Sequence, residues 1–195
     1  MAKQKISRAL SLAMAAALLA APVAAQDTTD WGQVGDWLIA VDPTLDNSCF
    51  ALNEYDDGTV MRIGLDMSAD DDRWYIMFGN DRWASIEDGG EYDVALQFDR
   101  EPEWTAGATG VNMGGDVNFL YVFGSDIEFF DEFVRKNAVT LFYDGQSIAK
   151  LSLSGSARAT NAMLDCQEEQ VAAPAADPFA GKKKKARPDE DPFAN

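Results

Sequence analysis

The chain of 195 residues contains no histidine. That absence excludes Ser-His-Asp and Cys-His catalysis in their usual forms. It also removes histidine-ligated zinc and iron sites. Cysteine is nearly as scarce, with only Cys49 and Cys166. Basic residues are few: 16 Lys and Arg stand against 33 Asp and Glu, for a net charge of −17. Setting aside the +3 of residues 1–25 and the +1 of the tail leaves about −21 on the body. A field of that sign repels nucleic acid, whose phosphates need Lys and Arg to displace counterions. It attracts basic partners and cations. Long hydrophobic runs are missing too. The apolar stretch from Ala9 to Ala21, interrupted only by Ser11, falls short of the roughly 20 residues of a membrane span.

What is present at the start is an address. Lys3, Lys5 and Arg8 precede the apolar run, and Pro22-Val23-Ala24-Ala25 puts small residues before Gln26. This is the pattern of a secretory signal peptide over residues 1–25. No cysteine follows the cleavage point to take a lipid, so the mature protein is expected to be neither lipid-anchored there nor transmembrane. The expected location is the periplasm of a Gram-negative bacterium, or the medium outside it. Residues 26–170 then form one domain, large enough for a real core. In an oxidising compartment Cys49 and Cys166 read as one disulfide, with two separate buried thiols as the alternative. Closing a loop of about 118 residues is worth about 5 kcal/mol, comparable to a small domain's net stability.

The body reads as mainly β. Thr59, Met61, Ile63, Leu65 and Met67 alternate with Val60, Arg62, Gly64 and Asp66, as in a half-buried strand. Val94, Leu96 and Phe98 alternate with Asp93, Ala95, Gln97 and Asp99 in the same way. Further strands are expected over 36–41, 49–55, 73–78, 104–107, 118–123, 139–143 and 147–153. Asp57-Gly58, Asp88-Gly89-Gly90, Gly114-Gly115 and Asp144-Gly145 supply turns, and the first and last are short enough for hairpins. About nine strands at this spacing predict a single β-sandwich or barrel-like domain with two short helices. Ser125-Asp126-Ile127-Glu128 has the form of a capping box, followed at helical spacing by Ile127, Phe130, Phe133 and Val134. A second helix is expected from Ser156, with Ala159, Ala162, Met163 and Cys166 on one stripe, so that the disulfide ties this helix to the sheet.

Residues 171–195 have the composition of a disordered tail. Asp177-Pro178-Phe179-Ala180 recurs as Asp191-Pro192-Phe193-Ala194, and Lys182, Lys183, Lys184, Lys185 and Arg187 lie between the copies. Such a basic run is attracted to anionic lipid at about 1 kcal/mol per residue, so the tail is a candidate envelope contact.

Catalytic signatures are absent or incomplete. Gly145-Gln146-Ser147-Ile148-Ala149 approaches a nucleophile elbow, but lacks the final glycine and has no histidine base. Asp70, Asp71 and Asp72 are the weak candidates for a cation such as calcium, although no EF-hand spacing accompanies them; an acidic turn is the simpler reading. A glycosidase needs two carboxylates. Asp99, Glu101 and Glu103 form one group, and Asp126, Glu128, Asp131 and Glu132 another, but both read as strand-end and helix-face charges. Trp37 and Trp74 belong to the core. Trp83 and Trp104, near turns and charges, are candidates for a ligand groove. No cofactor is implied.

Leu151-Ser-Leu-Ser-Gly-Ser-Ala-Arg-Ala-Thr-Asn-Ala-Met-Leu164 resembles the closing strand, glycine and short Ala-rich helix of the invasion-associated locus B proteins of alphaproteobacteria. Val34-Gly-Asp-Trp-Leu38 and Cys49-Phe50 are similar to that family's opening strand and first cysteine. The resemblance spans roughly residues 32 to 168. The chain departs from the family in lacking a cysteine soon after Trp37 and in its long acidic middle. The resemblance implies a small periplasmic β-sandwich and carries over no catalytic residue. The expectation is a non-enzymatic exported protein that binds a protein partner or supports the envelope. One variant is an inhibitor or immunity-type protein with an acidic face. The competing class is a glycan hydrolase with paired carboxylates.

Overall fold

Alternating apolar residues build ten antiparallel strands in the computed structural model, which describes residues 28–69, 73–113, 115 and 117–172. The leader over 1–25, Asp70, Asp71 and Asp72, and the tail with Lys182 to Lys185 and Arg187 lie outside the described residues. The strands are β1 (Thr29–Val34), β2 (Trp37–Asp42), β3 (Ser48–Glu54), β4 (Val60–Asp66), β5 (Arg73–Asn80), β6 (Glu91–Phe98), β7 (Trp104–Asn112), β8 (Asn118–Gly124), β9 (Ala138–Tyr143) and β10 (Gln146–Ser152). Helix α1 (Ile127–Arg135) joins β8 to β9, and α2 (Ser156–Ala172) follows β10.

The mainly β class with two helices is therefore the architecture, and β1 is the strand beyond those expected. All ten strands form one sheet in the order β1-β2-β3-β4-β5-β8-β7-β6-β9-β10, so it is curled and barrel-like but not closed. The curl follows from the contacts of α1. Phe129 stacks on Trp74 of β5 with ring centroids 4.2 Å apart and meets Phe98 of β6 at 5.1 Å. Phe133, one turn later, meets Trp37 of β2 at 5.9 Å. In a flat sheet β2 and β6 would lie roughly 29 Å apart at about 4.8 Å per strand. One helical turn of about 5.4 Å touches both only because the sheet wraps around it.

The concave face holds the main core, with Trp37, Ile39, Met61, Ile63, Ile76, Phe78, Leu96, Phe98 and Leu141 almost wholly buried. The two buried indoles are satisfied there: Trp37 Nε1–H donates to the Ser154 carbonyl at 2.9 Å and Trp74 Nε1–H to that of Asp126 at 3.1 Å. The disulfide joins Cys49 on β3 to Cys166 on α2, with Cα atoms 6.1 Å apart. The adjacent Gln167 reinforces it by accepting the Cys49 N–H at 2.7 Å. Asp144 and Gly145 both adopt positive φ, 49° and 69°, and so make the tight β9–β10 hairpin turn that such residues permit.

Two expectations change. The helix cap is Asp126, whose carboxylate accepts from Glu128 N–H, and not Ser125. This shifts the buried stripe of α1 to Phe129 and Phe133, and leaves Ile127 73% exposed. Strand β4 is also covered on both faces. On its convex face Arg62 lies 3.7 Å over the Phe50 ring, donates to Tyr75 Oη at 2.7 Å and pairs with Asp42. Arg62 and Asp42 are both buried. Burial pushes the Asp42 carboxyl up, but hydrogen bonds from Thr44 and Arg62 and the Arg62 charge outweigh it, and the net effect is to lower it. Gly64 makes room for this layer, since a Cβ there would come within 2.6 Å of Tyr75 Oη.

Candidate functional site

The convex face of β7, β6 and β9 carries the acidic feature of most interest. Val94, Leu96 and Phe98 turn inward, so the pleat sends Asp93 and Ala95 outward. Asp93 stands opposite Gly107, and Ala95 stands between Thr105 of β7 and Phe142 of β9. Small side chains on the central strands and Phe142 at one side leave a groove of about 610 Å³. Asp93, Glu103 and Asp144 line it, and no Lys or Arg does. All three carboxylates are solvent-exposed, and none has a hydrogen-bond or ion-pair partner among the described residues. Nothing lies within 4 Å of where a Gly107 Cβ would sit. The groove can therefore admit an extended backbone while three unneutralised charges of one sign surround it.

Most carboxylates grouped by sequence do structural work elsewhere. Asp99 accepts the backbone N–H groups of Asn137 and Ala138, which lowers its carboxyl. Glu101 pairs with Lys136, and Asp131 with Arg135 at 3.2 Å. Asp126 caps α1, and Glu132 accepts from Trp104 Nε1 at 2.9 Å. Only Glu103 of those groups lines the groove. Among the described residues no group of three or more Cys, Asp and Glu side chains is placed to hold a metal.

The two tryptophans do not share a groove. Trp104 packs edge-on against Phe129 with centroids 5.7 Å apart. Trp83 lines a separate, mostly apolar pocket of about 290 Å³, with Leu120 and Ile148. Ser147 is the second residue of β10, beside a register shift. Among the described residues no helix is long and apolar enough to cross a membrane.

In the sequence Asp93 has the pattern of a solvent-facing strand residue and Asp144 that of a turn residue. The usable signal was the run of small outward positions, Ala95 on β6 and Thr105 and Gly107 on β7, beside an unpaired aspartate. Set against protein-family models, curated proteins and solved structures, the chain matches none.

Proposed function

We propose that this is an exported, disulfide-linked binding protein of the envelope, whose acidic groove receives a basic segment of a protein partner. The observation that carries this reading is the set of three unpartnered carboxylates, Asp93, Glu103 and Asp144, around a floor small enough for a polypeptide. Charge of one sign on a concave surface raises the local concentration of the opposite sign and speeds association. A periplasmic location is part of the proposal, supported by the leader pattern of residues 1–25 and by the disulfide. So is kinship to the invasion-associated locus B proteins, supported by residues 151–164. Contact of the Lys182 to Lys185 run with anionic lipid is a further part, supported by its charge.

The test is fluorescence anisotropy with a labelled Lys- and Arg-rich peptide at low salt. Neutralising the groove in Asp93→Asn/Glu103→Gln/Asp144→Asn is expected to weaken binding about tenfold or more. Removing as many charges elsewhere, in Glu54→Gln/Asp165→Asn/Glu168→Gln, is expected to weaken it far less. Equal losses would reduce the groove to general electrostatics. Release of sugar fragments from peptidoglycan by the wild type, abolished in the groove variant, would replace binding with hydrolysis.

A further inference from the structure

The pocket at Trp83 is separate from the acidic groove and stands independently of that reading. Trp83 and Ile86 come from the loop between β5 and β6, Tyr92 from β6, Leu120 from β8, Tyr143 from β9 and Ile148 from β10. Leu120, 2% exposed, forms the floor. Tyr92 and Tyr143 meet edge to face with centroids 5.8 Å apart.

The pocket is preformed, because its loop is tied down along its length. The buried Asn80 side chain accepts from Arg82 N–H and Nε–H, both at 3.0 Å, and donates to Thr59 Oγ1 at 2.9 Å. Asn118 Nδ2 donates to the Trp83 carbonyl at 3.3 Å, and Glu87 N–H donates to Tyr92 Oη at 2.8 Å. Gly89 N–H donates to the Gly110 carbonyl at 2.8 Å, and Gly110 N–H to that of Gly90 at 2.7 Å. The loop therefore cannot settle onto Leu120 and fill the space without breaking these bonds. A site held open in this way shares with small-ligand pockets a preformed, mostly apolar lining.

Arg82 is the one charged residue among those lining the pocket. Its Nη2 donates to the Asp57 carbonyl at 3.2 Å and lies 3.6 Å from the Asp57 carboxylate. Its Nη1 has no partner among the described residues, so it can still donate. Because Asp57 already faces the guanidinium and the whole body is strongly acidic, an anionic head group gains little here. A neutral acceptor keeps the hydrogen bond without the repulsion. The volume of 290 Å³ suits about ten non-hydrogen atoms, at roughly 30 Å³ for each water-sized group.

We propose that this pocket binds a small uncharged amphiphile, its apolar body on Leu120 between Trp83 and the two tyrosines, its hydroxyl or carbonyl oxygen on Arg82. Octanol is the probe, followed through the tryptophan indole N–H resonances. The indoles of Trp31, Trp37, Trp74 and Trp104 are hydrogen-bonded to Glu169, Ser154, Asp126 and Glu132, whereas Trp83 lines the pocket. The Trp83 resonance alone is expected to move, saturating with a Kd of about 1 mM for a ligand of this size. Octanoate is expected to bind at least about fivefold more weakly. Filling the pocket with Ile148→Phe should weaken octanol binding about tenfold or more. If that variant does not fold, Ser85→Phe on the exposed loop makes the same test. No saturable shift at Trp83, parallel shifts of all five indoles, octanoate binding as tightly as octanol, or undiminished binding by a folded filled variant would each overturn the proposal.

Discussion

Arg62 is a charge buried on the face of the sheet away from the main core, and its surroundings dictate what its removal does. It is 6% exposed, paired with Asp42 and layered over Phe50. Arg62→Met leaves the Asp42 carboxylate buried without its partner and is expected to cost about 3–5 kcal/mol. Adding Asp42→Asn removes the orphan charge and should recover much of that loss, a comparison that urea denaturation makes directly. The same carboxylate sets a pH response. Asp42 and Asp66 both experience burial, which raises them. Asp42 is pulled down further by Thr44 and Arg62, and Asp66 by Ser68 and Arg73, so both end below their ordinary value. The unfolded chain therefore takes up protons first as the pH falls. The stability these groups contribute is full above the unfolded carboxylate value of about 3.9 and is lost as pH falls through their lower folded values. The urea midpoint of the wild type should drop steeply below about pH 4, and more shallowly in Asp42→Asn.

Among the elements, α1 shows how far local pattern reaches. Ser125 and Asp126 are both good caps, one residue apart, and sequence alone does not choose between them. Tertiary contacts decide. With Asp126 as cap, its carbonyl meets Trp74 Nε1 and the helix presents Phe129 to Trp74, Phe98 and Trp104. Asp126→Ala should cost about 1 kcal/mol and Ser125→Ala under about 0.5 kcal/mol, measured by thermal unfolding. Phe129→Ala should cost about 3–5 kcal/mol. Strands with clean alternation, such as β6, were legible from the sequence, and so was α2 with its start at Ser156. Strand β1 was not, because a register shift between Asp30 and Gly32 interrupts its period. Two-sided burial of β4 was hidden for another reason: Arg62 and Asp66 look solvent-facing until their partners on neighbouring strands are known. The groove was illegible in the same way. Asp144 is far in sequence from Asp93 and Glu103, and only the pairing of β6 with both β7 and β9 gathers the three.

For the whole molecule, the open sheet has two edges, β1 and β10, and each carries a register irregularity of the kind that discourages edge-to-edge pairing. The disulfide links α2 to β3 across 117 positions. Cys49→Ala/Cys166→Ala should lose about 2–5 kcal/mol, and reduction of the wild type should reproduce that loss in urea titrations. A body this acidic attracts any cation, so the deciding question is whether attraction is focused at the groove. An amide NMR shift map during titration with a Lys- and Arg-rich peptide at low salt answers it. The account predicts saturable shifts concentrated at Asp93, Gly107, Phe142 and Asp144 that fade as salt is raised. Shifts spread equally over Asp165 and Glu168 on α2, or no shifts at the groove, would contradict it.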